Sequence, residues 1–269
     1  MKHPLITLLT DFGHSDHYVA AMKGALLSVC PEAQPIDVSH EVTPYQIAEA
    51  AYLLSQAWSS FPPGSIHVVV VDPGVGSSRR PILVEAAAHS FIAPDNGVLT
   101  MALDAIPDYR AWHLTKEQYF RQPVSRTFHG RDIFAPVAGH LANGIAPSAL
   151  GDEVYDLLRL DSRRPVPVSN GQWRGLVLHV DHFGNIVTSF DRNNFRFVGE
   201  QSFELSAGEH RLYRYYRNYD AARLKECFVI TGSSGYLEIS MKQDSAAKEL
   251  NIFPGDTLEL RTVQQGNSR

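Results

Sequence analysis

Two acids stand where apolar runs end. The stretch Ile66-His67-Val68-Val69-Val70-Val71 is rich in β-branched residues and does not alternate, as expected of a strand buried on both faces in a parallel sheet. It ends in Asp72 and breaks at once into Pro73-Gly74-Val75-Gly76. Residues 5–9 form a similar apolar run, ending in Thr10-Asp11-Phe12-Gly13. Open parallel sheets gather ligands beyond the carboxyl ends of their strands, and glycines there let backbone approach a ligand. Asp16, Arg79 and His129 are the further charged or titratable side chains that could converge on that crevice. An acid beside an imidazole can orient a water and take its proton, and a guanidinium can stabilise the charge that develops. Each residue alone also has a plain structural explanation: Asp16 in a first helical turn, Arg79 as surface charge, His129 as a satisfied loop histidine.

The elements that must position these groups follow from periodicity. Ser15 is placed to cap a helix from Asp16, with Val19, Met22, Leu26 and Val29 on one face. Residues 36–38 read as a short strand. Thr43-Pro44-Tyr45-Gln46 reads as a helix start, followed by Ile47, Ala50, Leu54 and Trp58 as the buried face. Strands over 82–86 and 90–93 lead into Pro94-Asp95-Asn96-Gly97 and a short helix over 98–103. Thr127-Phe128-His129-Gly130-Arg131-Asp132 is a loop opening onto a helix, whose free amides suit an anionic or polar ligand.

Between 160 and 172 the apolar content drops, and a domain boundary is expected: an α/β domain over 1–162, a linker at about 163–171, and a second domain over 172–269. The second domain carries short strands with Gly and Asn turns and almost no helical pattern. The expected fold is therefore α/β, with an N-terminal α/β domain on a mostly parallel sheet and a smaller C-terminal antiparallel, β-barrel-like domain. The tyrosine-rich segment 213–219 reads as a loop or interface strand.

Composition narrows the classes. An apolar content of 44% and a charged content of 20% are those of a globular protein. A net charge of −5 with no long basic run argues against nucleic acid as a partner. No apolar stretch reaches the roughly 20 residues of a membrane span. The first strand does not read as a signal peptide, and the two cysteines read as reduced core thiols, so a cytoplasmic location is expected. There is no Gly-x-Ser-x-Gly elbow, no P-loop lysine after Gly74-Val75-Gly76 and no Rossmann glycine triplet. Asp11, His14, Asp16 and His17 form a dense acid and histidine cluster that could hold a metal, but no recognised ligand spacing accompanies it; the expectation is no metal and no cofactor.

Seven motifs then occur in one order: Thr10-Asp11-Phe12-Gly13 with Asp16; Lys23-Gly24; Asp72-Pro73-Gly74-Val75-Gly76; Pro94-Asp95-Asn96-Gly97; Phe128-His129-Gly130-Arg131-Asp132; Asp181-His182-Phe183-Gly184-Asn185; and Gly235-Tyr236-Leu237-Glu238-Ile239. From about residue 5 to about residue 260 the sequence resembles the S-adenosylmethionine hydrolases, or SAM hydroxide adenosyltransferases, relatives of the fluorinase and chlorinase enzymes. The resemblance implies attack of water or hydroxide on the ribose C5′ carbon of S-adenosylmethionine, releasing L-methionine and adenosine. It also implies a homotrimer with sites at subunit interfaces.

The family's hydrolytic triad carries over to Asp72, Arg79 and His129. Arg79 rather than Arg80 is implied by the seven-residue separation in that motif. Halogenating relatives carry tyrosine in place of this Asp and a halide-binding serine in the loop matching 128–131; Asp72 and Gly130 occupy those places here, which favours hydroxide over halide. Binding roles implied by the resemblance fall on Asp11, Asp16, Tyr45, Asn96, Gly130, Asp181, Phe183, Asn185, Ser233, Tyr236 and Glu238. The segment Met241-Lys242-Gln243-Asp244 departs from the Asn-containing segment usual there. The alternatives are a halogenase, a non-catalytic nucleoside-binding module and a metal-dependent hydrolase.

Overall fold

The computed structural model describes residues 3–160 and 164–263. The chain divides into two compact units, Met1–Leu160 and Asp161–Arg269. The first is α/β, the second a nearly closed antiparallel barrel-like sheet, so the expected fold class holds. The expected boundary at 162–163 lies outside the described residues.

The strands of the first unit are β1 (Leu5–Thr10), β2 (Gln34–Ser39), β3 (Ile66–Val70), β4 (Pro81–Ala86), β5 (His89–Pro94), β6 (Tyr109–Leu114) and β7 (Gly151–Val154). They form one sheet in the order β2-β1-β3-β5-β4-β6-β7. The pairs β1–β2, β1–β3 and β3–β5 are parallel, and β4 pairs antiparallel with both β5 and β6. Five of the seven strands thus run one way, and β4 and β7 oppose them. Every residue of β3 is buried, as its valines require. The register Thr10↔Val70 brings the residues after β1 and β3 out side by side at one edge.

The helices are α1 (Tyr18–Val29), α2 (Ile47–Ala57), α3 (Thr100–Leu103), α4 (Ala135–Ala142) and α5 (Pro147–Leu150). Two expected starts are displaced. Ser15 does not cap α1: the chain is still bending at 14–17, because the Gly13 N–H is held by the His40 carbonyl at 2.7 Å, and His17 takes the cap position. Thr43 does not cap α2 either. Tyr45 adopts φ of +69°, which no helix accommodates, and α2 begins only at Ile47. The Tyr45 N–H donates to Asp11 Oδ2 at 2.9 Å, and Glu49 Oε2 accepts the Thr43 N–H at 2.8 Å.

In the second unit, β8 (Val166–Ser169), β9 (Gln172–Val180), β10 (Ile186–Asp191), β11 (Phe203–Ala207), β12 (His210–Leu212), β13 (Cys227–Thr231), β14 (Tyr236–Met241) and β15 (Thr257–Thr262) form a sheet in the order β12-β11-β15-β9-β10-β14-β13, with β8 on β9. Part of the segment read as a linker is therefore a strand, β8, whose residues are all exposed and so left little apolar signal. Among the described residues of this unit the one α-helix is short, α6 (Ala246–Leu250). Just beyond β12, the tyrosine-rich segment bonds to β13: Val229 N–H donates to the Arg214 carbonyl and Tyr216 N–H to the Val229 carbonyl, at 2.8 and 2.9 Å. That bridge ties the two ends of the sheet together.

A buried imidazole sits in the first sheet. His67 on β3 faces Thr7 on β1, whose Oγ1 is 2.8 Å from Nδ1, and its Nε2 is 3.1 Å from His89 Nδ1. Its ring also stacks on Phe91, with centroids 5.0 Å apart. Burial, reinforced by His89, pushes the His67 pKa down to about 3. Below the usual histidine value the unfolded chain takes up a proton that the folded chain refuses. Stability is therefore expected to fall by about 1.4 kcal/mol per pH unit from this group as pH drops from about 6.5 toward 3. Urea unfolding across that range should show a shallower slope in His67→Gln.

Candidate active site

The edge beyond β1 and β3 carries a cleft of about 320 Å³. Asp11, Tyr45, Asp72, His129 and Gly130 line it, with Phe12, Tyr18 and Phe128 as an aromatic wall. The three rings meet at tilted or edge-on angles, with centroids 5.2–6.0 Å apart. These aromatics were not singled out from sequence; their position flanking Asp11, Asp16 and His129 was the available signal.

Arg79 joins the other two triad candidates. Its Nε donates to both oxygens of Asp72, at 3.0 and 2.8 Å, and Nη2 donates to Asp72 Oδ2 as well. The same Nη2 lies 2.7 Å from His129 Nδ1. A guanidinium can only donate, so Nδ1 accepts, and a neutral His129 carries its proton on Nε2. Burial, and then the Arg79 charge, hold the His129 pKa below the usual histidine value. The Asp72 and Arg79 side chains are only 5% and 8% exposed, so each depends on the other for its charge to be tolerated. The guanidinium also lies 5.3 Å from the centre of the buried Phe134 ring.

The loops that carry these groups are pressed together. Gly76 has φ of +77°, and a Cβ there would lie 2.4 Å from the Arg126 carbonyl oxygen, so only glycine lets the loop after Asp72 touch the loop before His129. His129 then enters a π-turn, Gly130–Phe134, that runs into α4. The buried Asp132 accepts from the Ser125 N–H at 2.9 Å and from the Arg131 guanidinium, closing the 125–132 loop on itself. A side chain at 130 would crowd the Phe12 ring at 3.2 Å.

Asp11 is held above the usual carboxylate range by burial, against the Tyr45 N–H that stabilises its charge; the Asp72 charge adds to the rise. Asp16 and Asn96 do not line this cleft. Asp16 is exposed in the bend before α1. Asn96 is bonded to backbone: its Nδ2 donates to the Val71 carbonyl at 2.8 Å, and its Oδ1 accepts the Val98 N–H at 3.1 Å.

The remaining candidates belong to the second unit, where a cleft of about 700 Å³ is lined by Asp181, Phe183, Asn185, Ser233 and Glu238. Asp181 organises its turn. Oδ1 accepts the N–H groups of Phe183 and Asn185, at 2.9 and 2.8 Å, and Oδ2 accepts from Asn185 Nδ2 at 2.8 Å. Gly184 makes the turn possible: φ is +86°, and a Cβ would sit 2.0 Å from Ser245 Oγ. Tyr236 opens β14 but is not among the residues lining the cleft. Among the described residues no cluster of three or more His, Cys, Asp or Glu side chains is arranged to hold a metal ion, and no helix is long and apolar enough to cross a membrane.

Residues 6–151 match the SAM hydroxide adenosyltransferase N-terminal domain, and residues 175–259 match the C-terminal domain. The chain belongs to the SAM hydroxide adenosyltransferase family of enzymes. It is 36% identical to the (R)-S-adenosyl-L-methionine hydrolase of Salinispora tropica, covering 96% of this chain and 97% of that one. It is 33% identical to the enzyme of the same name from Methanocaldococcus jannaschii, covering 95% of each. The fluorinase of Nocardia brasiliensis is 25% identical, over 97% of each. A crystal structure of an uncharacterized conserved protein from Thermotoga maritima superposes with a TM-score of 0.84 at 34% identity, covering 95% of this chain and 99% of that one.

Glu238 offers a local test of the second cleft. Burial, and then the Asp181 charge, push its pKa up to about 7. In Asp181→Asn the like charge is gone but burial remains, so the Glu238 titration followed by carboxyl ¹³C NMR should move down without reaching the ordinary carboxylate value.

Proposed function

We propose that the protein hydrolyses S-adenosyl-L-methionine to adenosine and L-methionine, with water attacking the ribose C5′ carbon. One observation carries the reading. A carboxylate, Asp72, stands at the cleft with a guanidinium fixing it and a neutral histidine beside it, a set suited to handling a water. The full-length likeness to named hydrolases supports the same reaction.

The chemistry asks little of the protein beyond placement. The sulfonium leaves as a neutral thioether, so no acid is needed for the leaving group. As the water oxygen bonds to C5′, the C5′–S bond breaks with its electron pair going to sulfur, and the water gives up one proton. Holding that water at attack geometry can supply about 7–11 kcal/mol of the barrier. His129, with its proton on Nε2, donates a hydrogen bond to the water oxygen, and Asp72 takes the proton. Arg79 holds the Asp72 carboxylate in place and holds His129 in this tautomer. Asp11 accepts from the ribose hydroxyls, and the aromatic wall with two carboxylates suits a cationic substrate. No metal or organic cofactor enters the scheme.

In the second unit Asp181 and Asn185 are proposed to meet the methionine amine and the adenine, with Ser233 on the methionine part. Glu238 and Tyr236 are proposed to support that surface. Tyr45 and Phe183 are 72% and 75% exposed, apolar area that a subunit interface would cover. We propose a homotrimer whose sites lie at subunit interfaces; light scattering of the purified protein should give the mass of three chains.

The deciding experiment incubates the protein with S-adenosylmethionine, with and without chloride and chelator, and separates the nucleosides by chromatography. Equal adenosine and methionine, indifferent to both additions, is the expected result; 5′-chloro-5′-deoxyadenosine, or tight nucleoside retention without methionine release, would overturn it. Asp72→Asn should lower kcat by about 10²–10⁴-fold with little change in KM.

A further inference from the structure

The loop that carries Asp72 and Arg79 joins β3 to β4, yet these strands are not neighbours. β5 lies between them, parallel to β3 and antiparallel to β4. The turn that leaves β5, Pro94-Asp95-Asn96-Gly97, therefore emerges at the same edge, between the two arms of the loop. Its two polar side chains each take one arm. Asn96 Nδ2 donates to the carbonyl of Val71, the residue before Asp72, at 2.8 Å. Asp95 holds Arg80, the residue after Arg79: its N–H donates to the Arg80 carbonyl at 2.8 Å, and its Oδ2 accepts from Nε and Nη2 at 2.9 and 2.5 Å.

Both grips are themselves anchored. Asp95 is 3% exposed, and its Oδ1 accepts the Leu158 N–H at 2.9 Å. Arg80 Nη1 reaches Asp156 Oδ1 at 2.8 Å. Asn96 Oδ1 accepts the Val98 N–H, which fixes the amide so that Nδ2 faces Val71. Within the 72–80 loop, Ser77 Oγ to the Gly74 carbonyl at 2.7 Å shapes the tip, and the Arg79–Asp72 ion pair joins the two arms to each other; the turn after β5 ties both arms to the sheet.

We propose that this turn is a brace that sets the spacing of Asp72 and Arg79, with Asp95 and Asn96 as positioning residues rather than ligand contacts. The proposal deepens the hydrolase reading, on which its kinetic test rests. A displacement of about 1 Å at reacting groups can cost about 100-fold in rate, and each grip is one residue away from a triad side chain.

Two variants separate the arms. Asn96→Ser keeps an oxygen that can accept the Val98 N–H but cannot reach Val71. Arg80→Gln removes the fork held by Asp95. With S-adenosylmethionine as substrate, each is expected to lose about 10–100-fold in kcat while KM stays within about threefold of wild type. A raised KM with unchanged kcat in Asn96→Ser would make Asn96 a ligand contact and overturn the proposal. A second readout does not need turnover: the His129 imidazole titration by ¹⁵N NMR, assigned by its loss in His129→Gln. Arg80→Gln should raise it, because Arg79 drifts from the ring and its charge no longer opposes protonation, and Asn96→Ser should displace it from wild type. Titrations unchanged in both variants overturn the brace whether or not the wild type makes adenosine. A wild type that makes none overturns the hydrolase reading alone.

Discussion

A charged guanidinium enclosed between a carboxylate and an imidazole is costly to build. Removing two ions from water costs several kcal/mol each, and their attraction repays that only when the geometry is good and the remaining donors are used. Arg79 meets the condition with three bonds to Asp72, one to His129 and the face of Phe134. The rest of the first unit follows from keeping that group in place. β3 must be rigid up to Val71, the loop must return over β5, and the 125–129 loop must come close enough for Nδ1 to accept. The contact at Gly76 supplies the last of these, and the parallel pairing of β3 with β1 brings Asp11 to the same edge.

The sequence carried the strand tips plainly, because burial on both faces leaves an unalternated apolar run and its end is abrupt. Asp11 and Asp72 were legible for that reason, and so was the change to short strands after about residue 170. The capping signals were misleading at two places. Ser15 and Thr43 have the right type and spacing, but tertiary bonds decide the backbone there: Gly13 to His40 before α1, and Tyr45 to Asp11 before α2. A local propensity of about 1 kcal/mol yields to such contacts. Strand β8 was hidden because an exposed, proline-containing edge strand has no apolar alternation to detect.

The site was legible as a set of residue types but not as a network. Nothing in the spacing of Arg79 and Arg80 shows that neighbouring cations take opposite partners, one Asp72 and the other Asp95. That division goes with strand order: just before β4, Arg80 lies beside Asp95, next to the Pro81–Pro94 pair, while Arg79 reaches back to Asp72. Asn96 illustrates the same limit. Its motif marked it for binding, whereas the insertion of β5 between β3 and β4 gives it a backbone carbonyl to hold. Strand order is a long-range property, and no window of sequence contains it.

The electrostatics of the cleft follow from these placements. Asp72 has a guanidinium of its own, while burial holds Asp11 above its usual range against the Tyr45 N–H, and the neighbouring Asp72 charge adds to the rise. A cationic ligand entering between them relieves the like-charge term at Asp11 and gains from both carboxylates. His129 works the other way: its neighbour is a cation, and burial also opposes its protonation. The cleft thus presents negative charge without a competing imidazolium, and the Arg79 guanidinium beside His129 is already committed to Asp72. That arrangement favours a positively charged ligand over an anion, and it does so through the same guanidinium that fixes Asp72 and His129.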